Sequence, residues 1–165
     1  DYSVAQCWVQ TAKGIFLIDQ VRGKFEINNL IIVMRSFITK HKRSDSPLHG
    51  VYVEDKSAGT QLIQVIQKEV LAPIFAVQRS KDKYNRAYDC QGYVKSGYIW
   101  LNDDHDYYSE LLPEIVAFAG DGKGHDDQVD CMLDAIQILL IDGIVNDING
   151  GDFNERYNLG MRRNI

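Results

Sequence analysis

The amino-acid sequence predicts an α/β fold with a mixed central β-sheet flanked by α-helices. The chain opens with two apolar runs joined by a short polar turn, and it then alternates helical and strand-like patterns. A hairpin pairs its strands antiparallel, whereas strands that alternate with helices pair in parallel. We therefore expect a sheet that is antiparallel at one edge and parallel further on.

The first half of the chain shows four strand-like and two helical patterns. Short apolar segments rich in β-branched and aromatic residues predict the strands, and the sequence TAKG predicts the turn of the hairpin. Apolar residues at helical spacing predict the helices. The predicted strands are 3–10, 14–25, 51–54 and 72–79, and the predicted helices are 28–42 and 57–70.

The second half contains three helical patterns and one further strand over 98–102. The helices are expected over 82–97, 107–120 and 125–143, and Pro113 is placed to kink or restart the second of them. The last helix carries an apolar stripe formed by Val129, Met132, Leu133, Ile136, Leu139 and Leu140. We expect one domain over residues 1–142, followed by a polar tail over 143–165.

Composition indicates a globular protein of the cytosol. Of its 165 residues 45% are hydrophobic and 25% charged. There is no apolar run of the roughly 18 residues that suggest a membrane helix. Three cysteines, odd in number and far apart, predict reduced thiols with no disulfide framework or zinc site.

The net charge of −5 argues against a dedicated nucleic-acid binder, which is usually basic. The stretch GDGKGHDD fails the P-loop pattern, so nucleotide binding is not expected.

The stretch GHDDQVDCMLDAIQILL, residues 124–140, crowds acidic residues onto the start of the last helix. On a helical wheel Asp126 lies at the edge of the apolar stripe and Asp127 nearly opposite, and the phase of a first turn leaves the choice between them open. One explanation is capping, in which an aspartate accepts hydrogen bonds from the first backbone N–H groups and complements the helix dipole. The other is a site that needs carboxylates.

A second acidic element favours the site. Glu54 and Asp55 lie at the carboxyl end of the predicted strand 51–54, where open α/β sheets gather their ligands. Asp55 or Ser57 is expected to cap the next helix, which leaves Glu54 without an explanation. A strand-end carboxylate that faces a helix-start carboxylate supplies the hard oxygen ligands preferred by Mg²⁺ or Mn²⁺. Two such ions can catalyse phosphodiester hydrolysis.

The two explanations predict opposite effects on stability. If Glu54, Asp126 and Asp127 form an acidic pocket, unit charges about 5 Å apart repel by roughly 3 kcal/mol at an effective dielectric near 20. The substitution Asp126→Asn is then expected to stabilise the metal-free protein. Capping predicts that the same substitution destabilises it.

Four segments together resemble the C-terminal nuclease domain of the terminase large subunit of tailed phages or prophages. They are DYSVAQCWVQTAKGIFLIDQVRGKFE, VYVEDKSAGTQLIQ, DKYNRAYDCQGYVKSGYIWLN and GHDDQVDCMLDAIQ, which occur in the family's order and cover most of the chain. The resemblance implies an RNase H-like fold. It further implies a divalent-metal-dependent endodeoxyribonuclease that cuts concatemeric viral DNA during genome packaging.

The resemblance also assigns residues. It implies that the catalytic metal ligands are Glu54 and Asp126, Asp127 or both, which would hold two Mg²⁺ or Mn²⁺ ions in the complete site. Residues expected beside these ligands, without binding an ion directly, are Asp55, His125 and Asp130. The family's first catalytic aspartate lies on a strand that precedes the segment matching DYSV. That strand is expected to be missing ahead of Asp1, and without it the chain is expected to hold metal weakly and to be inactive.

The segment QRSKDKYNRAY is expected to contact DNA. The phosphate-binding residues implied by its match to the family's DK..RA segment are Lys81, Lys83 and Arg86, and a solvated basic face is the alternative. Besides double-stranded DNA, the family implies three partners: an ATPase domain in the same full-length chain, the small terminase subunit and the portal. No membrane is expected, and the location implied is the cytoplasm of the bacterial host.

Two other functions stay open at this point. One is a non-catalytic RNase H-like domain that docks the portal or the small terminase subunit. The other is a nuclease like the Holliday-junction resolvases, which share an acidic site on this kind of fold. Neither accounts for the DDQVD and DKYNRA segments together.

Overall fold

The structure is a computed structural model that describes residues 2–42, 48–69, 72–119, 124–143 and 163–165. Its contacts divide the chain into two compact units. The first unit comprises residues 3–22 and 81–165, and the second comprises Tyr2 and residues 23–80. No helix in these described ranges is long and apolar enough to cross a membrane.

Each predicted element has a counterpart in the described residues. The strands are β1 (Ser3–Thr11), β2 (Gly14–Gly23), β3 (Val51–Glu54), β4 (Ile74–Val77), β5 (Ile99–Leu101) and β6 (Arg163–Asn164). The helices are α1 (Ile27–His41), α2 (Ala58–Ile66), α3 (Lys83–Lys95), α4 (Tyr108–Ala117) and α5 (Asp127–Ile136). A short 3-10 helix (Gln67–Glu69) follows α2, and a π-helical segment (Gln137–Ile141) continues α5. Helix α4 runs through Pro113 without restarting.

The first unit contains a four-stranded sheet in the order β1-β2-β5-β6. A two-residue turn joins β1 to β2 as a hairpin, β2 pairs with β5 in parallel, and β5 pairs with β6 antiparallel. Gly14 has a φ of 129°, and a Cβ there would lie 2.1 Å from the carbonyl oxygen of Tyr98. Only glycine therefore allows β2 to start so close to β5. The predicted mixed sheet is confirmed.

The core of the first unit forms where α3 and α5 pack on this sheet. Its buried residues are Ile15, Cys90, Ile99, Val129, Met132, Leu133 and Ile136, and Leu139 and Leu140 pack against them. The apolar stripe predicted for the last helix therefore faces the core, as its spacing of three and four residues requires. Burial raises the pKa of the Cys90 thiol to about 11, so this cysteine is a protonated core residue at neutral pH.

The second unit contains the parallel pair β3–β4 together with α1 and α2. Val51 lies opposite Ile74, and Glu54 lies opposite Val77 at the other end of the pair. The turn after β3 is tight, because a Cβ on Gly59 would lie 2.0 Å from the carbonyl oxygen of Glu54. Helix α2 therefore begins directly against the end of the strand that carries Glu54.

The last described residues pair with the sheet of the first unit. Strand β6 lies beside β5, the N–H of Ile165 donates to the carbonyl of Ile99 at 3.3 Å, and the Ile165 side chain packs against buried residues. Residues 144–162 of the expected polar tail lie outside the described residues. Sequence patterns gave no sign of β6, since its two paired residues are both polar.

Candidate functional site

The start of α5 is capped, but Asp126 does not provide the cap. Asp126 occupies the N-cap position, and its side chain makes no capping hydrogen bond. The carboxylate of Glu114, on α4, instead accepts from the backbone N–H groups of Gln128 at 2.7 Å and Val129 at 2.9 Å. A residue from another helix therefore satisfies the donors that a capping aspartate would have satisfied.

Asp126 binds a cation from α3. The ammonium of Lys83 lies 2.7 Å from Oδ1 of Asp126 and 2.8 Å from Oδ2 of Asp130. All three side chains are largely buried, with 25%, 17% and 13% of their surfaces exposed for Lys83, Asp126 and Asp130. This contact removes the reason to expect a stabilising effect of Asp126→Asn, because the substitution would break an attraction.

Arg86 extends the same contact by one helical turn. Its guanidinium lies 2.8 Å from Oδ1 of Asp130 and 2.6 Å from Oδ1 of Asp134, and it also donates to the Asp130 carbonyl at 3.2 Å. The spacing of four residues between Asp126, Asp130 and Asp134 places all three on one face of α5. We call these three aspartates with Lys83 and Arg86 the α3–α5 charge ladder.

The charge ladder affects the protonation of Lys83. Burial lowers the pKa of this ammonium, but hydrogen bonds and charge from Asp126 and Asp130 outweigh that effect, so the pKa is raised overall. The lysine is consequently charged throughout the physiological range, and it balances carboxylates that would otherwise repel one another.

The three basic residues expected to bind DNA all have acidic partners. Lys83 and Arg86 belong to the charge ladder, and Lys81 lies 2.6 Å from Asp89. Lys81 is the most accessible, with 60% of its side chain exposed against 12% for Arg86. DNA contact by these residues stays a prediction, and on exposure Lys81 is the best placed to meet a phosphate.

Glu54 ends β3 in the second unit. Its carboxylate lies 3.0 Å from the guanidinium of Arg79 and is 37% exposed. The neighbouring Asp55 accepts a hydrogen bond from the hydroxyl of Thr60 at 2.8 Å, while Ser57, at the N-cap of α2, makes no side-chain capping bond. Asp55 thus contacts the first turn of α2, and Glu54 is held by an arginine.

The remaining candidates lie at the exposed end of α5. His125 is exposed, and Asp127, the first residue of the helix, is partly exposed. Both follow Gly124, whose φ of 108° is a conformation that favours glycine. The first turn carries Asp127 and Asp130, whose negative charges interact favourably with the positive end of the helix dipole.

A family model described as a terminase RNaseH-like domain matches residues 1–138. The chain belongs to this family. The match spans both acidic elements and the basic segment, and it confirms the resemblance that these segments carry. A terminase RNaseH-like domain has a mixed α/β fold of the kind described above. No curated protein and no solved structure matches the chain.

The residues of this terminase RNaseH-like domain suit a divalent cation chemically. Carboxylate oxygens are the ligands that Mg²⁺ and Mn²⁺ prefer, and the Lys83 ammonium between Asp126 and Asp130 shows that the start of α5 attracts positive charge. Among the described residues, no three His, Cys, Asp or Glu side chains are grouped closely enough to hold an ion. Glu54 belongs to one unit and Asp126 and Asp127 to the other, so shared coordination stays a prediction.

Two residues that support the site in this terminase domain were not found from the sequence. Glu114 caps α5 from a position 14 residues before Gln128, and Gln128 is only 1% exposed. Gln128 lies within the DDQVD segment, where a single amide among charged residues carries no pattern that predicts its burial. A buried glutamine is unusual enough to indicate a structural hydrogen-bond network.

Proposed function

We propose that this terminase RNaseH-like domain is the DNA endonuclease of a viral DNA-packaging terminase, and that it cuts concatemeric genome DNA with Mg²⁺ or Mn²⁺. The observation that carries the proposal is the family match over residues 1–138, which includes Glu54 and the acidic start of α5 in one chain. Domains of this family are typically nucleases, and the two acidic elements supply the residue types that such chemistry needs.

In this proposal Glu54 and Asp126, Asp127 or both hold the ions. Bound ions would generate a hydroxide nucleophile from water and stabilise the leaving oxygen of the phosphodiester. Lys83 orients Asp126 in the metal-free protein, because its ammonium contacts that carboxylate at 2.7 Å. Three neighbouring residues are proposed to orient the ligands. Asp55 follows Glu54 in sequence, His125 precedes Asp126, and Asp130 lies one helical turn after Asp126.

Double-stranded DNA is the proposed substrate, and α3 with the loop before it is the proposed contact. Lys81 is the most accessible to a phosphate because its pair with Asp89 is exposed, whereas Lys83 and Arg86 would have to leave the largely buried charge ladder. The acidic net charge of −5 implies weak binding by the domain alone. An ATPase domain in the same full-length chain, the small terminase subunit and the portal would hold DNA nearby at high effective concentration, in the host cytoplasm.

Plasmid cleavage tests this proposal. The terminase large subunit that contains this domain should convert supercoiled plasmid to nicked and linear forms in Mn²⁺ or Mg²⁺, and the activity should vanish in EDTA. Cleavage positions should show no sequence preference. Intact plasmid in the presence of Mn²⁺, from protein that still binds the portal, would contradict the nuclease proposal and support a docking domain.

A further inference from the structure

A chain of partly buried polar side chains, ending on the fully buried Gln128 and its partner Glu114, connects the hairpin to the start of α5. The indole N–H of Trp8 donates to Oε1 of Gln6 at 3.0 Å, and Nε2 of Gln6 donates to Oε1 of Gln20 at 2.7 Å. Nε2 of Gln20 donates to Oε1 of Gln128 at 2.7 Å, and Nε2 of Gln128 donates to Oε2 of Glu114 at 2.5 Å. We call these five residues, which all belong to the first unit, the glutamine relay.

The direction of every hydrogen bond in the glutamine relay is determined by its two ends. An indole N–H can only donate, and an ionised carboxylate can only accept. Each of the three amides between them must therefore accept with its oxygen and donate with its nitrogen in the same direction. Reversal of one amide would leave a donor facing a donor, and an unsatisfied buried group costs about 1–3 kcal/mol.

The relay ends on the backbone of the first turn of α5, which carries the acidic residues. Besides the Gln128 amide, Glu114 accepts from the backbone N–H groups of Gln128 and Val129, and Gln6 also donates to the Gln128 carbonyl at 3.2 Å. The residue immediately after Asp126 and Asp127 is therefore held through its side chain, its N–H and its carbonyl at once. With only 1% of its surface exposed, Gln128 cannot exchange these partners for water.

We infer that the glutamine relay positions the acidic turn, residues 126–130, and that Gln128 and Glu114 are positioning residues for the site. The hydrogen bonds that hold the turn are those described above. The role of the turn in metal binding rests on the proposed function. The relay fixes the first turn of α5 against β1 and β2, and thereby the direction in which the Asp126 and Asp127 carboxylates leave the backbone.

A charge-conserving exchange of the two residues tests the inference. Glu114→Gln alone places two amide nitrogens against each other, and Gln128→Glu alone places two carboxylates against each other. In the double variant Glu114→Gln/Gln128→Glu, the new carboxylate at position 128 accepts from the amide nitrogens at positions 20 and 114. The amide oxygen at position 114 still accepts from the backbone N–H groups at positions 128 and 129. We expect each single variant to melt about 5 °C or more below the wild type. The double variant should recover more than half of that loss.

Amide hydrogen exchange distinguishes positioning from general stabilisation. The N–H groups of Gln128, Val129 and Asp130 should lose about tenfold in protection in each single variant, more than those of Met132 and Leu133, and should regain it in the double variant. Glu110→Gln is the matched control, because Glu110 lies on the same helix in an exposed pair with Arg22. It should leave exchange in α5 unchanged.

The Mn²⁺ affinity of the same proteins separates this inference from the proposed function. Each single variant should bind Mn²⁺ about tenfold more weakly than the wild type at a temperature where all are folded, and the double variant should bind it normally. A wild type without Mn²⁺ affinity would overturn the proposed function while melting and exchange still decide the inference. Melting losses that add in the double variant, or a uniform loss of protection along α5, would overturn the inference itself.

Discussion

The substitution Glu54→Gln is expected to abolish plasmid cleavage by the full-length protein while leaving its melting temperature within about 2 °C of the wild type. The glutamine amide is uncharged and a weak ligand, and a catalytic ion supplies several kcal/mol of transition-state stabilisation. A loss of that size corresponds to a rate at least about 10³-fold lower. The stability effect is small because Glu54 is 37% exposed, and an ion pair this exposed, here with Arg79, contributes little to stability.

The control for Glu54 is another glutamate paired with an arginine. Glu69 contacts Arg35 in the same unit and is 29% exposed. Glu69→Gln therefore removes a similar ion pair at a position with no proposed role in metal binding, and cleavage should continue at the wild-type rate. Equal cleavage by Glu54→Gln and the wild type would exclude Glu54 as a metal ligand.

The substitution Lys83→Met is expected to destabilise the protein substantially, because it removes the cation of a largely buried ion pair. It leaves the Asp126 and Asp130 carboxylates, 17% and 13% exposed, without the cation that lies between them. Removing one partner of a largely buried pair costs about 2–3 kcal/mol after allowing for the remaining exposure. For a chain of this size that corresponds to a melting temperature lower by about 4–10 °C.

Lys81→Met provides the comparison on the same segment. Lys81 also pairs with an aspartate, but 60% of its side chain is exposed, so the substitution should cost less than about 1 kcal/mol. Equal losses from the two substitutions would show that the burial of the Lys83 pair contributes nothing.

The contribution of Lys83 to the free energy of unfolding should decrease only at high pH. The pKa of Lys83 is raised on folding, so its contribution is complete below the pKa of an unfolded lysine, about 10.4, and is lost as the pH rises through the folded value. The difference in stability between the wild type and Lys83→Met should therefore be constant from pH 7 to pH 9. It should narrow at higher pH, as urea denaturation can measure.

The fold could be predicted from the sequence because its main elements have strong local patterns. The spacing of Val129, Met132 and Ile136 predicted which face of α5 is buried, and that face is in the core. Strand β6 could not be predicted in this way. Its pairing with β5 depends on backbone hydrogen bonds between positions about 60 residues apart, and two polar residues carry no alternation.

The site was predicted less completely because its contacts are long-range. Acidic residues at the start of α5 indicated capping or metal binding, and the helical wheel could not show that Glu114 supplies the cap. The pairing of Lys83 and Arg86 with α5 was also missed, although two basic residues three apart on one helix match aspartates four apart on another. That match of spacings was the available signal.

The central claim is that Glu54 and the acidic start of α5 bind the same divalent ions. Anomalous diffraction at the manganese edge, from crystals of the protein grown in Mn²⁺, tests this directly. We expect an anomalous peak within about 2.5 Å of a Glu54 oxygen and of an Asp126 or Asp127 oxygen, with the Lys83 ammonium displaced from any oxygen that binds the ion. A manganese peak away from these residues, or Glu54 and Asp126 oxygens too far apart to bind one ion, would contradict the shared site.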